Sequence, residues 1–252
     1  MEIFNVITDP YNRRARLTPS LLALLPIILL TVLVFPDFEN QYASVVGLFV
    51  TCGGTVLLTQ IGRDRGKRYE KKLNNEWGGK PSVAMLRHSD NRMGRPLKSL
   101  IHQFLNDNII GLNIPTAEEE ALAPGAADDT YEAATRWLLA KTRDKTKFRL
   151  LFEENMNYGF RRNYWALKPF IVGVDIVLAA LVVCFFGDLL KNHTLEALFN
   201  TLPTAAYFYV SIPTIHIIIT LAVATKSWVR ITSEAYARQL LEACAGFDTS
   251  PN

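Results

Sequence analysis

Four stretches of the chain are longer and more apolar than ordinary core helices. Residues 17–36 run for 20 positions without a charged side chain, residues 40–62 for 23 and residues 197–225 for 29. A fourth, residues 169–187, holds a single charge, Asp175. A helix needs about 20 apolar residues to cross a bilayer core of roughly 30 Å. The pattern argues against a soluble globular protein. It predicts an all-α integral membrane protein with four transmembrane helices in two hairpins, residues 17–62 and 169–225. Residues 63–168 are too many for a loop and are expected to fold as a cytosolic helical regulatory domain. Residues 1–16 read as an N-terminal interfacial segment or a disordered tail, with a turn at Thr8-Asp9-Pro10. Residues 226–252 read as a cytosolic C-terminal tail.

Finer periodicity divides the middle block. The second apolar helix continues as a charged helix to about Trp77, and Gly78-Gly79 is a candidate C-cap. Residues 81–114 read as two short helices. Val83, Met85 and Leu86 belong to the first; Leu97, Leu100, Ile101, Phe104 and Leu105 mark the second at helical spacing. Residues 115–130, rich in Ala, Pro, Gly, Glu and Asp, read as a mobile acidic linker. Residues 131–165 read as helix. Phe148, Phe152, Met156, Phe160 and Tyr164 recur every fourth position there, a stripe expected to pack on the preceding helices or on a neighbouring subunit. No strand pattern competes, and no internal repeat is visible.

Charge orients this plan. With both termini in the cytosol, 26 of the 27 Lys and Arg residues fall on the cytosolic side, as basic flanks do in membrane proteins. The first apolar stretch is long for a secretory signal, and Phe35-Pro36-Asp37 supplies no small-residue cleavage site. Cys52, Cys184 and Cys244 have no paired spacing and read as reduced, structural residues.

Catalytic patterns are weak. His88, His102, His193 and His216 sit in no metal-binding or phosphate-loop pattern, and no serine occupies a nucleophile elbow. His88 and Asp90, two apart, read as a loop hydrogen bond before an acid–base pair. The expectation is a non-enzyme with no metal and no cofactor.

Three groups are candidates for function. Asp175 lies about 10 Å into its apolar stretch and His216 about 15 Å from the same side, so antiparallel helices place them at similar depth. Ionisable residues inside spans are expensive and often line a path or gate; a buried pair that fixes helix register is the alternative. Thr51, Thr55 and Thr59 share a helix face with Gly47, and serve either close helix packing or a hydroxyl-lined pore wall. Arg63, Arg65, Lys67, Arg68, Arg161, Arg162 and Lys168 flank the apolar stretches. They suit anionic lipid head groups, or a nucleotide or oligonucleotide ligand with Trp77, Trp137, Tyr158 and Tyr164 for stacking.

Two blocks carry a resemblance. Trp77-Gly78-Gly79-Lys80-Pro81 through Met85-Leu86-Arg87-His88, and Asn157-Tyr158-Gly159-Phe160-Arg161-Arg162-Asn163, resemble blocks in a family of uncharacterised bacterial four-span membrane proteins. The overall plan is similar to that of the small membrane effectors of nucleotide-regulated anti-phage systems, among them the channel subunit of Hailong-type defence. The resemblance implies a channel in the bacterial inner membrane that depolarises the host. Control would come from a nucleotide-based ligand made by a partner nucleotidyltransferase. No ligand-binding residue is carried over from it.

The expectation is an oligomeric membrane pore or ion channel. Four spans in one subunit are few to enclose a wide aqueous path, and a homo-oligomeric ring does so readily. A small secondary transporter and a non-conducting scaffold or lipid-binding protein are the alternatives.

Overall fold

The computed structural model describes residues 9–34, 41–185 and 204–247. They are helices joined by turns, with no strand among the described residues. The expected turn near residues 36–41, the loop carrying His193 and most of the first eight positions' reading lie outside the described residues.

The described chain opens on a helix cap. The Asp9 carboxylate accepts from Asn12 N at 3.0 Å, and Pro10 takes a first-turn position where a missing N–H costs nothing. Thr8-Asp9-Pro10 therefore ends at a helix start. Helix α1 (Pro10–Asn12) passes through a π-helical turn, Arg13–Leu17, into α2 (Thr18–Val34). Helix α3 runs unbroken over Gln41–Glu76, α8 over Arg149–Phe185, and α9 over Thr204–Val223. Between them lie α4 (Pro81–Ala84), α5 (Arg95–Asn108), α6 (Ala117–Leu122) and α7 (Pro124–Lys141). Helix α10 (Lys226–Glu242) and a 3₁₀ turn, Ala243–Gly246, close the described chain.

The chain divides into two compact units. The first comprises Met1–Lys67 and Gly159–Trp228; the second comprises Arg68–Tyr158 and Val229–Asn252.

In the first unit, Ala23 and Leu24 of α2, Leu58 of α3, Tyr164, Leu167 and Ile171 of α8, and Ala224 form the buried apolar cluster. Glycine sets the spacing. A Cβ on Gly62 would lie 3.2 Å from Leu167, and one on Gly54 would lie 3.6 Å from Leu24. Most of the large apolar side chains exposed among the described residues belong to this unit: Leu21, Leu25 and Leu29 on α2, Ile176, Val177 and Leu181 on α8, and Ile215, Ile218 and Ile219 on α9. Among the described residues one helix, Arg149–Leu181, is long and apolar enough to cross a membrane. There are two if Tyr207–Val223 and Lys226–Gly246 count as one broken span.

The second unit begins where α3 stops. Gly78 and Gly79 have φ of +81° and +124°, and Gly79 N donates to Asn74 O at 2.8 Å. This left-handed exit satisfies carbonyls at the end of the helix, as the Gly78-Gly79 pair suggests. Helices α4 and α5 follow at the expected places.

Residues 115–130 are a correction: they form α6 and the start of α7, where a linker is expected. The reason is local. Thr116 Oγ1 accepts from Glu119 N at 3.3 Å while the Glu119 carboxylate accepts from Thr116 N at 2.8 Å, a reciprocal capping box. Pro124 then starts α7, and its Ala-rich beginning is helix-forming rather than flexible. Ala127, Tyr131, Ala134 and Leu138 give α7 its buried face.

The C-terminal segment is a second departure. Ala237, Leu240, Leu241 and Cys244 join Met85, Leu86, Ile101, Leu105, Tyr131 and Leu138 in one core, so much of the expected tail is structural. Burial pushes the Cys244 thiol up to about 12, which keeps it protonated and inert. The aromatic stripe divides between the two cores. Phe148 and Leu151 enter the second unit's core and Tyr164 the first.

Candidate functional site

Two polar assemblies lie inside the first unit. The deeper one pairs α8 with α9. A hydrogen bond of 2.8 Å joins His216 Nδ1 and Asp175 Oδ2, and the two side chains are 11% and 0% exposed. The two candidate residues are thus in direct contact. Asp175 Oδ1 is buried with no hydrogen-bond partner among the described residues. Two further contacts extend this seam. Tyr164 and Thr220 share a hydrogen bond of 2.9 Å, and Lys168 Nζ donates to Ala224 O at 3.0 Å, tying down the end of α9. Lys168, a candidate ligand residue, is thereby a helix-end cap.

The threonine face lies against α2. Thr59 Oγ1 donates to Thr55 O at 2.8 Å and lies 3.2 Å from Ser20 Oγ. Thr55 and Thr59 are both buried within the subunit. Their geometry favours the close-packing alternative over a pore wall. Thr51 is on α3, but its side chain lies outside the described residues.

The second assembly is basic. Arg16, Arg63 and Arg162 come from the N-terminal turn, α3 and α8. Arg162 is buried, and Arg63 Nε is buried with no hydrogen-bond partner among the described residues. Asn163 Nδ2 donates to Ala15 O at 2.7 Å, tying α8 to the N-terminal turn, and Gly66 of α3 packs closely against the same side chain. Arg161 is engaged elsewhere: Nη1 donates to Trp228 O at 3.0 Å, and its guanidinium stands 4.9 Å from the centre of the Trp228 ring. Lys67 and Arg68 are exposed and Arg65 is half-buried.

The second unit contains a dense polar knot. Glu120 accepts from His88 N (2.7 Å), Ser89 N (3.2 Å), Ser89 Oγ (2.9 Å) and Tyr131 OH (2.7 Å). Burial alone would raise its carboxyl, but the hydrogen bonds from Tyr131, His88 and Ser89 outweigh it and hold the pKa at about 2. Arg87 grips Asp128 through Nε and Nη2, both at 2.7 Å, and donates to Gly78 O. Buried Lys98 donates to Arg87 O and Asp90 O. His102 Nε2 donates to Leu86 O at 2.8 Å, and burial brings its pKa down to about 4, so it is neutral near pH 7.

His88 and Asp90 go separate ways: His88 Nε2 donates to Pro115 O, whereas Asp90 pairs with Arg92. A concavity of about 620 Å³ beside the knot is lined by Arg87, His88, Ser89, Glu120 and Asp128, with Ala117, Ala121 and Pro124. Arg87 and Asp128 pair with each other there, and Glu120 is held by neutral donors. No group of three or more His, Cys, Asp or Glu among the described residues is placed to hold a metal ion.

Of the proposed stacking residues, Tyr158 and Tyr164 are buried, whereas Trp77 and Trp137 are half-buried. Tyr158 OH donates to Glu70 at 2.8 Å and its ring stacks on Tyr236; Trp137 packs with Phe104 and Phe247. Sequence reasoning missed Arg16, Asn163 and Glu120. The Thr116…Glu119 capping-box spacing was the available signal that residues near Glu120 are ordered. Nothing in the sequence marked Asn163 as the tie between α8 and the N-terminal turn.

The chain matches no family model, no curated protein and no solved structure.

Proposed function

We propose that the protein is an oligomeric pore or ion channel of the bacterial inner membrane. Its four spans form two hairpins, residues 17–62 and 169–225, with both termini and a helical regulatory domain in the cytosol. One observation carries this reading: the first unit encloses Asp175 and His216 while Ile176, Val177, Leu181, Ile215, Ile218 and Ile219 on the same two helices face outward. In water that arrangement exposes the wrong surface; in lipid, apolar walls around a protected polar pair are what the solvent requires. A homo-oligomer supplies the helices for an aqueous path. The similarity of the overall plan to the small membrane effectors of nucleotide-regulated anti-phage systems supports an effector that depolarises the host membrane. Its ligand would be a nucleotide or oligonucleotide from a partner nucleotidyltransferase, acting on the cytosolic domain.

Ion flux through liposomes containing the purified chain tests the reading. Flux without a saturable organic substrate supports the pore, and no flux from inserted protein supports a scaffold. A secondary transporter is favoured by His216, one member of the ionisable pair, lying one turn from Pro213 within α9. It requires substrate-dependent, saturable flux.

Topology gives a separate prediction. Reporter fusions after Asn252 and at Asn192 are expected in opposite compartments, the first cytosolic. Both reporters on one side would remove the two-hairpin plan.

A further inference from the structure

Three arginines border the apolar stretches of the first unit: Arg16 directly precedes residues 17–36, Arg63 directly follows residues 40–62, and Arg162 lies about two helical turns before Pro169. Each is a usual place for a basic flank; their convergence is less usual. It is enforced by close backbone approach. A Cβ on Gly66 would lie 2.5 Å from Asn163 Oδ1 and 3.4 Å from Arg162 Nε. One on Gly159 would lie 2.8 Å from Ala15 Cβ and 3.1 Å from the Tyr11 hydroxyl. Asn163 holds Ala15 O at 2.7 Å from the other side. The π-helical turn at Arg13–Leu17 is also a form that recurs at functional sites.

The bases of Arg16, Arg63 and Arg162 are thus set by three backbones in contact. Burial, with the positive charges of Arg63 and Arg162, draws the Arg16 pKa below its ordinary value, against the pull of Tyr11 and Asp9. Arg63 Nε is sealed from solvent with no hydrogen-bond partner among the described residues. A buried guanidinium donor without an acceptor is unfavourable, and neighbouring like charges make it more so. An anion with several acceptor oxygens relieves both. Guanidinium groups match phosphate well because their planar donors meet two oxygens at once.

We propose that Arg16, Arg63 and Arg162 form a binding site for a phosphate group, supplied by the head group of an anionic phospholipid. The lipid source follows from position, since all three flank the uncharged stretches that the proposed function places in the bilayer. The site rests on the membrane reading above but not on conduction, so its failure is separable from failure of the pore.

The test uses the full chain in a neutral detergent, with thermal unfolding followed during titration. The probes are detergent-solubilised phosphatidylglycerol and, separately, inorganic phosphate. Phosphatidylglycerol is expected to stabilise saturably. Arg16→Gln and Arg63→Gln should each weaken its apparent affinity about tenfold, the loss of one charge-assisted contact, while Arg143→Gln, at an exposed position just after α7, leaves it unchanged. Without ligand, Arg63→Gln should melt at or above the wild type, because a buried donor with no acceptor among the described residues is removed; a purely structural arginine predicts a lower melting temperature. Saturation by phosphatidylglycerol alone supports the lipid source. Equal, Arg63-dependent saturation by inorganic phosphate supports the site and reassigns its source to a free anion. Absence of saturable stabilisation by either probe, or wild-type affinity in both Gln variants, overturns the proposal.

Discussion

Glu120→Gln is expected to destabilise the helical second unit by about 3 kcal/mol at neutral pH, the scale of losing hydrogen bonds to a buried charged acceptor. Both carboxylate oxygens accept: one from His88 N and Tyr131 OH, the other from Ser89 N and Oγ. An amide presents N–H where one of those pairs needs an acceptor. The pH dependence has a definite sign. The folded carboxyl titrates at about 2, below its ordinary 4.5, so its contribution is complete above about pH 4.5 and is lost as pH falls toward 2. Thermal unfolding of the full chain should show a drop on the order of 10 °C for the variant near pH 7. The gap between variant and wild type should narrow as pH falls below about 4.5. A gap that stays constant down to pH 2, or that is absent at pH 7, would show that Glu120 is not the acceptor that closes this knot.

That knot marks where the sequence stopped being legible. The helical exit at Gly78-Gly79 could be read because two consecutive glycines offer left-handed conformations that other residues avoid. The helix at Leu97–Leu105 could be read because its apolar positions repeat. Glu120 could not, because its partners are 31 and 32 residues upstream and 11 downstream, and hydrogen-bond closure leaves no periodic trace. Composition around it pointed to a linker, and a helix with a capping box and the start of a second helix opened by Pro124 stand there. The C-terminal segment misled for a different reason: Ala237, Leu240, Leu241 and Cys244 form a short apolar face, whose partners come from far earlier in the chain. The Asp175–His216 contact was accessible because counting residues from the paired ends of two antiparallel helices places the two at similar height. The arginine junction was only half accessible. Basic flanks are visible in one dimension, whereas Asn163 and the two glycines that draw them together are not.

Substitution at Asp175 carries the second large effect. Asp175→Asn retains the size and a hydrogen bond to His216 while removing a possible charge, and is expected to assemble at wild-type yield. If the pair contributes to permeation or gating, the Asn variant changes ion selectivity or the pH dependence of current. Asp175→Leu leaves the His216 Nδ1 position nearly buried and without its present partner, and should destabilise the chain by roughly 1–3 kcal/mol. The buried Asp175 Oδ1, which meets no donor among the described residues, is the reason to expect more than a structural role. Unchanged selectivity and gating in the Asn variant, together with loss of stability in the Leu variant, would make the pair a register lock between α8 and α9. Oligomer yield measured beforehand separates an effect on current from an effect on assembly.

The central claim is that copies of this chain assemble around a conducting path in a bilayer. Planar-bilayer recording of the purified, full-length oligomer tests it most directly, with and without an added anionic oligonucleotide. The expected result is discrete unitary current steps whose reversal potential follows an imposed ion gradient and whose frequency responds to the ligand. Silent bilayers under both conditions, with insertion and oligomeric state verified in the same preparation, would contradict the pore.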